Sequence, residues 1–178
     1  ILSTYVLDKV LKPRLPPDAA ASIALTASDL WPGEGWNFVF GQASLQDRVG
    51  VWSLCRFGDP NESDKAFRLC LRRTLQTASH ETGHMFSILH CTAWQCNMCG
   101  SNSLPESDRR PTWLCPQCTA KVCWAAGYDP GQRFRNLADF CRKAGLRDEA
   151  EFYRKSLEAL SPALPAGSPG IPRPTSMP

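Results

Sequence analysis

The stretch SHETGHMFSILHC, Ser79 to Cys91, holds all three histidines of the chain: His80, His84 and His90. Glu81 sits between the first two, in the order H-E-x-x-H. On a helix, residues four apart project from one face about one turn apart, so His80 and His84 can offer two nitrogens to a single zinc ion. The intervening glutamate is then placed to work on a metal-bound water. His90 is six residues past His84, and a continuing helix would carry it roughly 240° away, onto another face. It joins the other two only if the helix stops soon after His84 and the chain turns back. A bare H-E-x-x-H occurs by chance in many proteins, but here every histidine of the chain falls at a spacing that a metal needs.

The length of 178 residues suits one domain, or one domain with an appendage, and 43% hydrophobic with 21% charged residues is enough for a real core. The net charge of +3 is mild. Arg72-Arg73 and Arg109-Arg110 are isolated pairs that read as solvated faces rather than a phosphate track, so no nucleic-acid partner is expected. No apolar run approaches the ~20 residues of a membrane span, and no membrane association is expected. The chain opens on Ile1 without an initiator methionine, which suggests a fragment truncated at its N-terminus. Nine cysteines, several at C-x-x-C spacing near the histidines, favour metal ligation and free thiols over a secreted disulfide framework. The expected setting is intracellular, cytoplasmic or nuclear, and the expected state a monomer.

Strands precede helices along the chain. Thr4 to Leu11 fits the end of an amphipathic helix, stopped by Pro13, Pro16 and Pro17. Ser22–Thr26 (SIALT) reads as a buried strand, Trp36–Phe40 (WNFVF) as a second, and Gly50–Phe57 (GVWSLCRF) as a third. From Asp64 the pattern becomes helical through Ala66, Leu69, Cys70, Arg73, Leu75, Thr77 and Ala78 into His80, with Ser63 or Asp64 as cap. The predicted class is α+β, a mixed sheet packed on the metal-bearing helix. Residues 91–123 read as a cysteine-rich, irregular segment. Gln132–Lys143 and Arg147–Leu160 read as two helices hinged at Gly145, with Leu137, Phe140, Phe152, Tyr153 and Leu157 between them. The organisation expected is one domain over 1–160, with strands and site helix in 1–90 and a helical hairpin in 124–160. The proline-rich tail 161–178 is expected to be disordered.

Cys91, Cys96, Cys115 and Cys118 form C-x4-C followed by C-x-x-C, two knuckle-like pairs that can present four thiolates to a closed, structural zinc site. Cys99 and Cys123 lie near enough in sequence to substitute as ligands, and buried thiols scattered by composition are the bland alternative. Cys55, Cys70 and Cys141 fall on regular elements, where cysteine is usually a small core hydrophobe.

Taken together, H-E-x-x-H-x5-H-C, then Cys96-x-Met98-x-Gly100-Ser101, then C-P-x-C resemble the archaemetzincins, a branch of the metzincin zinc metallopeptidases marked by a four-cysteine extension of the zinc motif. Trp36 to Ser44 (WNFVFGQAS) resembles the eukaryotic members in particular, and the likeness runs from about residue 1 to 160. The resemblance implies a small metzincin-like catalytic domain carrying two zinc ions. The catalytic one would be held by His80, His84 and His90, and the structural one by Cys91, Cys96, Cys115 and Cys118. It implies Glu81 as the general base on a zinc-bound water, Met98 as the Met-turn methionine beneath the metal, and peptides as substrates. The family's opening strand and part of its first helix would precede Ile1. One departure stands out: where the family has glycine seven residues after the first histidine, this chain has Ser87. Glycine suits a sharp turn at positive φ, and serine held there costs on the order of 1 kcal/mol. Ser87 favours the alternative reading, a catalytically weak zinc protein acting through interactions; intact Glu81 opposes it. A purely structural RING- or ribbon-type zinc module would leave His80, Glu81 and His84 unexplained.

Overall fold

A computed structural model describes residues 1–160; the tail expected to be disordered lies outside the described residues. The chain divides into two compact units, Ile1–Cys118 and a second beginning at Thr119.

In the first unit, Ser3–Tyr5 (α1) continues through a π-helical turn, Val6–Leu11, and a 3-10 turn, Lys12–Arg14. Three strands follow: Ser22–Thr26 (β1), Gly41–Ala43 (β2) and Val49–Ser53 (β3). Their order is β1-β3-β2, with β1 parallel and β2 antiparallel to β3. This is the small mixed sheet of an α+β protein. All five residues of β3 are buried, as suits a central strand covered on both faces. Val49 and Val51 form one core with Leu7 and Leu30, beneath the N-terminal helical stretch. The opposite face meets the long helix Asp64–Met85 (α2), whose Met85 sulfur would lie 3.3 Å from a Cβ placed on Gly50.

Two strand expectations need correction. The second strand is Gly41–Ala43, not Trp36–Phe40, although the Phe40 carbonyl already accepts Ser53 N–H at 2.8 Å, and Val39 only bridges to Leu30. The strand forms where small residues allow α2 close approach, for a Cβ on Gly41 would come within 2.8 Å of the Glu81 side chain. SIALT is a strand but not a buried one. Ala24 packs on the core, whereas Ile23 and Leu25 are 46% and 59% exposed, because α2 packs over β2 and β3 and β1 is an edge. Cys55 lies beyond β3 in an exposed turn and is no core residue, whereas Cys70 and Cys141 are buried.

The segment after Cys91 is less irregular than its composition suggests. It holds a short helix, Leu104–Arg109 (α3), and the start of Pro116–Ala126 (α4). Both had sequence signals: Ser103-x-x-Glu106 is a capping pattern whose serine accepts Glu106 N–H, and Pro116 suits a first helical turn. The paired arginines are not solvated faces. Arg73 forms a two-pronged pair with Asp108 at 2.6 and 2.9 Å, Arg72 bonds the Arg110 carbonyl at 3.3 Å, and Arg110 is half-buried. Only Arg109 of the four is exposed.

In the second unit, Pro130–Lys143 (α5) and Arg147–Leu160 (α6) form the hairpin, with Asp129 capping α5. Tyr153 is buried with its ring 6.0 Å from that of Phe134. Phe140, expected inside, is 47% exposed. The inward stripe of α5 is Phe134, Leu137, Ala138 and Cys141, an i, i+3, i+4, i+7 face that leaves Phe140 outside.

Three helices end in the same way, with a left-handed residue and paired carbonyl bonds. After α4, Gly127 has φ +63°; after α5, Gly145 has φ +73°; after α2 the position is Ser87, at φ +60°. There Ile88 N–H reaches the Gly83 carbonyl (3.1 Å) and Ser87 N–H the His84 carbonyl (2.8 Å). The helix thus stops one residue past His84 and the chain reverses. The serine hydroxyl donates to the Leu45 carbonyl at 2.9 Å, which offsets part of the backbone cost. Ser87→Gly should therefore stay within about 1 kcal/mol of wild type in urea denaturation, since it relieves strain but loses that bond. Ser87→Val, stiff at φ > 0, should lose about 2 kcal/mol or more. Equal stability of the valine variant would show that the turn is not under this constraint.

Candidate functional site

Glu81, His80 and His84 occupy the last turn and a half of α2, and the turn at Ser87 returns His90 to them. One ligand atom from each of His80, His84 and His90 can be chosen so that all lie within 4.8 Å of one another. His80 Nδ1 lies 2.7 Å from the Asn97 carbonyl and His84 Nδ1 2.7 Å from the Ile88 carbonyl. A carbonyl can only accept, so each Nδ1 carries its proton and each Nε2 presents a lone pair. The two Nε2 atoms face each other at 3.1 Å. Two acceptors cannot bond one another, but they can share a cation; nitrogens ~2.0–2.1 Å from one tetrahedral zinc would stand ~3.3 Å apart. Burial lowers the pKa of His80 to about 3 and lowers that of His84, which favours the neutral, ligating imidazoles.

Glu81 is buried, against the Gly41 backbone, and burial raises its pKa to about 8. It lines a cleft of about 730 Å3 together with the three histidines, the aromatic residues Trp36, Phe38 and Phe40, and Arg110. The strand edge of β2 forms part of the same wall.

The floor is a tight turn over Cys96–Cys99, closed by Cys99 N–H to the Cys96 carbonyl (3.0 Å). Met98 is fully buried in this turn, and a Cβ on Gly83 would lie only 2.4 Å from its sulfur. Gly83 thus lets the thioether press against the helix backbone between His80 and His84. Gly100 stands close to the third ligand candidate, for a Cβ placed on it would lie 3.3 Å from the His90 ring.

Cys91, Cys96, Cys115 and Cys118 converge in a second cluster, with their sulfurs within 4.8 Å of one another. Cys91 and Cys115 Sγ are 3.9 Å apart, too far for a disulfide and near the ~3.8 Å expected for two sulfurs on one tetrahedral zinc. Cys96 Sγ accepts N–H groups from Met98 (3.4 Å) and Cys115 (3.2 Å), and Cys115 Sγ accepts from Cys118 N–H (3.4 Å) at the start of α4. Burial pushes the Cys96 and Cys118 thiols up, so a set of thiolates there calls for a cation. Cys99 stays outside the cluster and donates to the Trp94 carbonyl at 3.1 Å, while Cys123 lies further along α4.

Three residues of this region escape a reading of spacings. Asn97 is fully buried; its carbonyl meets His80, and its side-chain amide donates to the Gln76 carbonyl (3.0 Å) and Ser79 Oγ (2.7 Å). Gln76, equally buried, donates to the carbonyls of Ser107 and Arg110, both at 3.0 Å. Arg110 reaches back to the Asn97 carbonyl at 3.3 Å. The position of Asn97 between a zinc-type cysteine and the floor methionine was the one available signal.

Residues 18–123 match the profile of Peptidase family M54. Archaemetzincin-2 from Macaca fascicularis is 38% identical over 155 residues, covering 72% of this chain and 43% of that protein. The archaemetzincin from Thermococcus kodakarensis is 36% identical over 109 residues, 58% of this chain and 56% of that protein. The crystal structure of the Methanopyrus kandleri archaemetzincin superposes with a TM-score of 0.61 at 33% identity, over 71% of this chain and 66% of that one. The chain spans less than half the length of the mammalian relative. With the profile covering more than half of the chain and the same fold in a solved relative, the chain belongs to the archaemetzincin family, Peptidase family M54.

Proposed function

We propose that this chain is the catalytic region of a zinc-dependent peptidase that binds two zinc ions, one at His80, His84 and His90 and one at Cys91, Cys96, Cys115 and Cys118. The observation that carries the reading is the pair of opposed Nε2 lone pairs, 3.1 Å apart, beside a buried glutamate in an open cleft. A zinc ion bound there supplies Lewis acidity, lowering the pKa of water toward neutrality and polarising a peptide carbonyl.

The chain's own residues do the rest. The Asn97 and Ile88 carbonyls hold His80 and His84 in one tautomer and one orientation. Glu81, held near the cleft by Gly41 and shifted toward neutral pH by burial, takes a proton from the attacking water and delivers it to the departing amine nitrogen. Trp36, Phe38 and Phe40 give the cleft an apolar wall suited to peptide side chains, and the β2 edge offers backbone groups to an extended peptide. Met98, packed against Gly83, forms the floor. Four of the nine cysteines converge as a metal-type cluster instead of pairing as disulfides, which supports an intracellular, reducing setting. No helix among the described residues is long and apolar enough to cross a membrane. The weak-zinc-protein alternative draws on Ser87, but the serine makes the required turn, so it lends that reading no support.

Metal content and peptide cleavage test this directly. Wild type should hold two zinc ions. Glu81→Gln should hold both yet lose turnover about 10²–10⁴-fold, whereas His84→Ala should retain one. A wild type with a single zinc, or full turnover in Glu81→Gln, would sink the proposal. The floor makes a separate prediction. Gly83→Ala should cost about 1–3 kcal/mol by overpacking Met98. Gly83→Ala with Met98→Ala should cost less than the sum of the two single changes, because the second removes the clash. Strict additivity in urea denaturation would refute the contact.

A further inference from the structure

Arg110 lies in the cleft wall, half-buried, with its two Nη nitrogens directed to neutral oxygens of the chain. Nη1 donates to the carbonyls of Asn97 (3.3 Å) and Cys99, and Nη2 to Ser107 Oγ at 2.9 Å. The Asn97 carbonyl is the same atom that fixes His80 Nδ1 at 2.7 Å. A carbonyl oxygen has two lone pairs, and here the imidazole and the guanidinium take one each. Cys99 immediately precedes Gly100, which lies against the His90 ring. One side chain therefore grips the turn that meets His80 at one end and His90 at the other.

The backbone of Arg110 is gripped in turn. Its carbonyl accepts from Gln76 Nε2 (3.0 Å) and Arg72 Nη2 (3.3 Å), both on α2, and its N–H bonds the Ser107 carbonyl at 3.0 Å. Asn97 closes the circuit by donating back to the Gln76 carbonyl at 3.0 Å. The route from α2 through Arg110 and Asn97 to His80 thus returns to the helix that carries His80. A planar guanidinium with two nitrogens on separate oxygens fixes both distance and angle, which a single ammonium cannot.

We propose that Arg110 is the positioning residue for His80, holding the Asn97 carbonyl in the plane that sets the imidazole's tautomer and direction. Its relevance to metal chemistry rests on the zinc reading above, but the contact itself can be tested without it. His84 supplies the control within the same molecule, because its Nδ1–H bonds the Ile88 carbonyl rather than the Asn97 carbonyl that Arg110 holds.

The experiment follows exchange of the two imidazole Nδ1–H protons with solvent by 1H–15N NMR, in wild type, Arg110→Met and the exposed neighbour Arg109→Met. In Arg110→Met the His80 proton should exchange roughly tenfold faster or more relative to that of His84. Arg109→Met should match wild type. A ratio unchanged in a folded Arg110→Met overturns the proposal. If that variant fails to fold, Arg110→Lys, which keeps the charge without the fork, and Ser107→Ala, which frees Nη2, take its place. Faster His80 exchange in both supports the proposal, and an unchanged ratio in either overturns it. Zinc content measured on the same samples separates the two readings. One zinc in wild type removes the peptidase reading while the exchange ratio still decides the role of Arg110.

Discussion

One stripe of α2 organises the first unit, and it is polar. Arg73, Gln76, His80 and Gly83 follow one another at three- or four-residue intervals, so they lie along one face of the helix. Each meets a different part of the segment between Cys96 and Pro111. Arg73 pairs with Asp108, Gln76 binds the Ser107 and Arg110 carbonyls, His80 binds the Asn97 carbonyl, and Gly83 admits Met98. The helix acts as a ruler against which a chain segment with little regular structure is set. Buried polar groups of this kind specify one geometry, because any other leaves donors and carbonyls unmet in a dry environment.

The two metal-type clusters share that segment. Cys96 belongs to one, and the next two residues, Asn97 and Met98, form the support and floor of the other; His90 and Cys91 are likewise adjacent. Cys91 N–H also bonds the Met98 carbonyl at 2.9 Å. A tetrahedral site that fixes Cys91, Cys96, Cys115 and Cys118 therefore fixes both ends of the turn beneath the histidines. This gives a physical reason for a structural cluster so close to a candidate catalytic one. Small glycines at 41, 83 and 100 complete the arrangement by removing side chains where Glu81, Met98 and His90 must approach backbone.

Much of the site could be read from spacing alone, because ligand chemistry and helical period are local properties. The i, i+4 histidines, the glutamate between them and the paired cysteines all carry their signal within a few residues. The strand positions were less legible. SIALT has the composition of a buried strand, yet which of its faces is covered depends on where α2 lies. The aromatic run Trp36–Phe40 has strand composition but faces the cleft, and the ladder forms over the small residues that follow. Phe140 shows the same limit, since a one-residue shift of the α5 interface leaves a phenylalanine outside and a cysteine inside.

The sequence by itself determined the ligand set on offer, the site helix with a cap at Ser63 or Asp64, and the hinge at Gly145. Only the tertiary structure decided whether His90 returns, because Ser87 carries no glycine signal and its conformation is held by a hydroxyl bond to Leu45, 42 residues away in sequence. It alone revealed Gln76, Asn97 and Arg110. Most of their partners are backbone carbonyls, 11 to 35 residues distant, and a backbone carbonyl is the same in every residue type. Contacts of that kind leave no period and no motif; they exist only once the chain has closed on itself.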